Sequence, residues 1–140
     1  MTGQVIVVDD EAAIREAAQQ WLELSGFSVQ ACASAAEALT LIDADFPGVV
    51  ISDVRMPGTD GLQLLSRIVD CDRDLPVIMI TGHGDVPVAV QAMKQGAYDF
   101  IEKPFTPDRL LDTVRRALEK RQLVIDNRAL RQQFAVRDGI

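Results

Sequence analysis

The sequence has little that would place it outside an ordinary globular class. It contains two cysteines, Cys32 and Cys71, far apart and at no metal-binding or redox spacing, so they are expected to be free thiols in a reducing cytosol. No apolar stretch is long enough to cross a bilayer. Met1-Thr2-Gly3-Gln4 leads straight into a strand pattern with no basic segment before it, so no signal peptide is expected. Basic charge is in deficit. A formal net charge of -7 disfavours direct nucleic-acid or anionic-membrane binding, because phosphate surfaces are gripped by lysine and arginine. There is no Gly-rich loop ending in Gly-Lys-Ser/Thr, hence no phosphate cradle of the nucleotide-hydrolase kind, and no repeat or low-complexity tract. What remains is 140 residues, 48% hydrophobic and 25% charged, enough for one sizeable core.

Short β-branched runs alternate with helical patterns along that length, which argues for βαβ units around a parallel sheet. The first helix is expected from near Glu11, with Ile14, Ala18, Trp21 and Leu22 at helical spacing before Ser25-Gly26. Phe27 to Ala31 reads as a second strand. Ser34-Ala35-Ala36-Glu37 is a capping-box pattern opening a helix through Ala38, Leu39, Leu41 and Ile42. Asp60-Gly61-Leu62 opens a third helix with Leu64, Leu65 and Ile68 inward. Asp85 to Gln95 forms a fourth, stopped by Gly96, and Thr106-Pro107 caps a fifth. The fold class is therefore α/β: a flavodoxin-like, doubly wound sheet of five parallel strands with five helices. The last helical pattern runs on towards Phe134, on the order of 40 Å at 1.5 Å per residue. Leu111, Val114, Leu118 and Ile125 suit a heptad seam interrupted by Arg121, while Leu123, Val124 and Leu130 form a second apolar line. A coiled-coil linker is expected; the plainer reading is an amphipathic helix packed on its own domain. The expected division is a domain over 1–120 and a helical dimerisation linker with a tail over 121–140.

Four of the apolar runs end in reactive groups. Val5 to Val8 leads into Asp9-Asp10, Val49 to Ser52 into Asp53, Val77 to Ile80 into Thr81, and Tyr98 to Glu102 into Lys103-Pro104. In a parallel sheet the carboxyl ends share the edge where such folds place ligands. Adjacent carboxylates with a third on the next strand are hard oxygen ligands suited to Mg2+. Asp9 and Asp10 would hold the metal, and Asp53 would ligate it and accept a phosphoryl group as an acyl phosphate. The cation and Lys103 would neutralise phosphate charge, and the Thr81 hydroxyl would bond another phosphate oxygen. Singly, each residue has a plainer reading: strand-end aspartates are commonly solvated turns or helix caps, Thr81 a turn residue, Lys103 a surface charge. Together, at correctly ordered strand ends, they define a metal and phosphate site.

Val8-Asp9-Asp10-Glu11, Ser52-Asp53-Val54-Arg55-Met56-Pro57-Gly58-Thr59-Asp60-Gly61, Ile80-Thr81-Gly82-His83-Gly84 and Ile101-Glu102-Lys103-Pro104-Phe105 carry a resemblance. Over about Gln4 to Leu118 the chain resembles the response-regulator receiver domains of two-component signalling. Within them it is similar to the nitrogen-regulation class, notably regulators of C4-dicarboxylate transport. The resemblance implies that Asp53 is the phospho-acceptor. Mg2+ would be ligated by Asp10, Asp53 and the Arg55 carbonyl, with Asp9 helping through water. Thr81 is implied as the switch hydroxyl, Phe100 as the switch aromatic, and the Lys103-Pro104 bond as cis. It further implies a sensor histidine kinase as phosphodonor and a homodimer through the fourth-helix to fifth-helix face and the linker. The output would be an attached ATPase that activates an alternative sigma factor, absent from this chain and expected from a longer cytoplasmic regulator.

Arg55 and His83 lie two residues beyond the acceptor and the switch threonine and are expected to tune phosphate loss; His83, the only histidine, leaves no relay through this chain. Three rival readings share parts of the pattern. A phosphohydrolase resembling haloacid dehalogenases would carry an acid-base aspartate where Arg55 stands. A flavin protein of the same fold needs donors where Asp9-Asp10-Glu11 presents acceptors. A degenerate receiver acting only as a dimerisation module would not need the complete acid set.

Overall fold

The computed structural model describes residues 3–55, 60–82 and 84–138, with side chains as far as Gln133. Met56 to Thr59, His83 and the Phe134 side chain, all named above, lie outside the described residues. The element order is β1 (Gln4–Val8), α1 (Ala12–Leu24), β2 (Ser28–Cys32), α2 (Ala35–Leu39), β3 (Gly48–Asp53), α3 (Gly61–Cys71), β4 (Val77–Thr81), α4 (Val86–Lys94), β5 (Asp99–Glu102) and α5 (Pro107–Asp138). The strands form one sheet in the order β2-β1-β3-β4-β5, every pair parallel.

Alternation along each strand sends neighbouring side chains to opposite faces, and helices cover both faces, so the central strands β1, β3 and β4 are apolar over most of their length. Ile6, Val8, Val50, Val77 and Met79 pack with Leu64, Leu65 and Ile68 of α3 and Ala92 of α4. Val5, Val7, Val49, Ile51, Ile78 and Ile80 face Ala18 and Leu22 of α1 and Leu110, Val114 and Ala117 of α5. The strand order reverses between β1 and β3. There Val8 stands level with Ser52, so Asp9 and Asp53 emerge side by side.

Local chemistry sets the helix ends. Asp60 caps α3 in a reciprocal box with Gln63: the Gln63 N–H donates to Asp60 Oδ1 at 2.8 Å, and the Asp60 N–H to Gln63 Oε1 at 3.2 Å. At α2 only half of the expected box forms. Ser34 Oγ accepts from the Glu37 N–H, but the Glu37 carboxylate receives the Ala33 N–H instead of that of Ser34. This helix is also shorter than expected. The Thr40 hydroxyl donates to the Glu37 carbonyl at 2.7 Å and the backbone tightens there, leaving Leu41 and Ile42 beyond the helix. β2 begins at Ser28, one residue later than Phe27.

α5 crosses residue 120 without a break, and its burial settles which apolar line faces inward. Leu110, Thr113, Val114, Ala117 and Arg121 are fully enclosed by the chain's own domain. The expected seam through Val114 and Arg121 is thus turned onto the domain for that stretch. Leu123 and Leu130, of the second line, are 71% and 54% exposed.

Candidate functional site

Strand ends deliver the acidic cluster. Asp9 follows β1, Asp53 ends β3, and with Asp10 their carboxylates offer oxygens lying within 4.8 Å of one another. Asp9 and Asp53 are buried and Asp10 is exposed, so the cluster opens to solvent on one side. Lys103, just after β5, places Nζ 3.1 Å from Asp53 Oδ2, 3.6 Å from Glu11 and 4.0 Å from Asp9. The other acceptor oxygen, Asp53 Oδ1, receives the Arg55 backbone N–H at 3.2 Å. Backbone bonds brace the frame. The Glu11 N–H donates to Asp9 Oδ1 at 2.9 Å, Arg15 Nη1 to the Asp9 carbonyl at 2.7 Å, and the Lys103 N–H to the Thr81 carbonyl at 2.8 Å. The Lys103-Pro104 bond is cis, as the family resemblance implies.

The start of α3 closes against the acceptor. The Gly61 N–H donates to the Val54 carbonyl at 2.7 Å, and a Cβ on Gly61 would overlap the Asp53 carbonyl oxygen. Only glycine admits that approach.

Electrostatics show what the cluster is short of. Burial pushes the Asp9 carboxyl up to about 6, and the Asp53 carboxylate adds to this against the pull of the Glu11 N–H and Lys103. Lys103 moves upward as well: burial alone would lower it, but Asp53, Asp9 and Glu11 outweigh that. Among the described residues, Lys103 is the one ammonium paired with these carboxylates, so negative charge predominates in the cluster. A hard divalent cation fits this donor set of three carboxylates.

Thr81 ends β4, the strand paired with β3, and is 2% exposed. Phe100 lies on β5, half-buried and level with Met79, on a strand leading to the site but not in it. The Arg55 side chain pairs with Asp85, with Nε 3.0 Å from Oδ2, and so ties the loop after β3 to the start of α4. Asp85 is the residue before α4 and makes no side-chain cap there. Sequence reasoning missed this pair and the Gly84 N–H bond to Glu102, 2.9 Å, since contacts between residues far apart in sequence leave no local pattern. Glu11 could have been found, because it continues the acidic run.

Comparison with known proteins agrees with this geometry. The family model for the response regulator receiver domain matches residues 5–115. The C4-dicarboxylate transport transcriptional regulatory protein DctD of Rhizobium meliloti is 59% identical over 128 residues, covering 91% of this chain and 28% of that protein. DctD of Pseudomonas aeruginosa is 56% identical over 134 residues, covering 96% of this chain and 29% of that protein. The chain thus spans less than a third of the length of these relatives. Among solved structures, the receiver domain of NtrX from Brucella abortus superposes with a TM-score of 0.78 at 44% identity, covering 82% of this chain and 98% of that one. Matched in fold, and in sequence along most of its length, the chain belongs to the response regulator receiver domain family, a signalling domain rather than a turnover enzyme.

Proposed function

We propose that this receiver accepts a phosphoryl group on Asp53 from the phosphohistidine of a sensor kinase, with Mg2+ as cofactor. The observation that carries the reading is Asp53 itself: a buried carboxylate with one oxygen on Lys103 and the other on the Arg55 N–H, inside an acid cluster suited to a divalent cation. Asp10, Asp53 and the Arg55 carbonyl would hold the metal, with Asp9 assisting through water. Bound there, Mg2+ would offset the repulsion between the acceptor carboxylate and the incoming phosphoryl oxygens.

An Asp53 oxygen attacks phosphorus, the new P–O bond forms as the P–N bond breaks, and the electron pair leaves with the imidazole. Lys103 follows the charge to a phosphoryl oxygen. Thr81, at the adjacent strand end, turns its hydroxyl to another, and Phe100 moves into the space vacated. The face from α4 through β5 to α5 changes with them, a local charge biasing a two-state element. Its apolar side chains Val86, Val90 and Met93 are 55%, 45% and 40% exposed on α4. They support a homodimer through this face, continued along the linker of residues 121–140 beyond the 1–120 receiver. The dimer would control an attached ATPase acting on an alternative sigma factor in a longer cytoplasmic regulator. No described helix is long and apolar enough to cross a membrane.

The hydrolase reading loses ground on one observation. Its second acid-base position is Arg55, a cation already paired with Asp85. Intact-mass measurement after incubation with Mg2+ and acetyl phosphate tests the proposal. One phosphoryl adduct, absent without metal and absent in Asp53→Asn, is expected. No adduct under any metal or donor would leave the dimerisation-module reading in its place.

A further inference from the structure

At the far end of α3 from Asp53, a buried ion-pair cluster joins the receiver to the α5 extension. Asp72 directly follows α3, its N–H bonded to the Ile68 carbonyl at 2.8 Å, and it is only 7% exposed. Its Oδ2 lies 2.8 Å from Arg121 Nη2 and 2.8 Å from Arg128 Nη1, and its Oδ1 takes Arg128 Nη2 at 2.8 Å. Arg128 is therefore bidentate on Asp72, and Arg121 shares the same carboxylate. Both arginines also reach the loop before β3. Arg121 Nε donates to the Phe46 carbonyl at 2.9 Å and Nη2 to Ala44 at 3.1 Å, and Arg128 Nη1 donates to Ala44 at 3.0 Å.

Arg121 occupies a position of the α5 stripe where a heptad seam calls for an apolar side chain, yet it is 1% exposed. A guanidinium that deeply enclosed is stable there only while its partners stay in place. Arg121 and Arg128, seven residues apart, share one side of the helix. Leu123 and Leu130 project from nearly the opposite side and are largely exposed. The attractions to these arginines hold the Asp72 carboxyl well below the usual carboxylate range, Arg128 contributing most.

We propose that Asp72 anchors the linker helix: through Arg121 and Arg128 it fixes residues 121–130 against the base of the receiver in one rotation. The linker then turns as a body with the receiver instead of pivoting near residue 120, and its Leu123–Leu130 line points outward. A single rigid helix, α3, connects the Asp53 loop at one end to this anchor at the other. The anchor does not depend on Asp53 accepting phosphate, so the two readings fail separately.

Amide hydrogen exchange on the whole chain tests it, comparing the wild type with Asp72→Asn and Arg128→Gln. Peptides over 122–130 are expected to be protected in the wild type and to exchange about tenfold faster or more in both variants. Peptides from β1 and β3 should stay unchanged, as should the Asp53 adduct where it forms. Should Asp72→Asn also open the sheet, Arg128→Gln, which leaves the Arg121–Asp72 pair intact, decides alone. Equal exchange of 122–130 in the wild type and Arg128→Gln would overturn the proposal. So would wild-type protection of 122–130 that vanishes on dilution, since a second copy would then be holding the helix.

Discussion

Asp9 titrates near 6 because burial disfavours its charge, and that has a consequence of definite sign. An unfolded aspartate titrates near about 3.9, so between the two values the folded chain binds more protons than the unfolded one. Asp9's contribution to the stability of the metal-free receiver should therefore fall as pH rises from about 4 to about 6. Thermal unfolding in a chelator at several pH values measures it; Asp9→Asn should flatten the decline and Mg2+ should offset it. An Asp9→Asn profile parallel to that of the wild type over that range would contradict the assignment. Arg55→Ala tests the other charged contact at the site. Its ion pair with Asp85 is solvent-screened, so the unfolding temperature should not move, whereas acyl-phosphate lifetime should change more than the rate of phosphorylation. Unchanged lifetime in this variant would remove Arg55 from that role. At this scale the meeting of Asp9, Asp53 and Lys103 was legible because each stands at, or just past, the end of a strand. Asp85 was not, because its partner lies 30 residues away on another loop.

Helix α3 carries the clearest consequences among the elements. Gly61→Ala places a methyl group against the Asp53 carbonyl, so the acceptor loop must shift, at a cost of about 1–3 kcal/mol. Both denaturant stability and the rate of adduct formation should drop, and wild-type values for both would show that the loop has room. Asp60→Ala should cost about 1 kcal/mol, through the lost cap, with smaller effect on phosphorylation. Strand and helix order followed from apolar runs and their periods. Ends were less legible: the Thr40 hydroxyl ends α2 early by competing for a backbone carbonyl. The seam of α5 was hardest to read. A heptad line looks the same whether it faces a second helix or the chain's own sheet, and Arg121, the irregular member, belongs to an ion-pair cluster 49 residues from Asp72.

For the molecule as a whole, exposed Leu123 and Leu130 should matter to association and not to folding. The double substitution Leu123→Gln with Leu130→Gln is expected to weaken self-association, read as mass against concentration, while the unfolding temperature stays put. Undiminished association would shift the dimer to the α4–β5–α5 face alone. The central claim is that charge added at Asp53 is felt along that face, and hydrogen exchange before and after phosphorylation measures it most directly. Altered protection in α4 and β5, absent from Asp53→Asn treated identically, is the expected result. A full phosphoryl adduct with exchange unchanged everywhere beyond the acid cluster would contradict it.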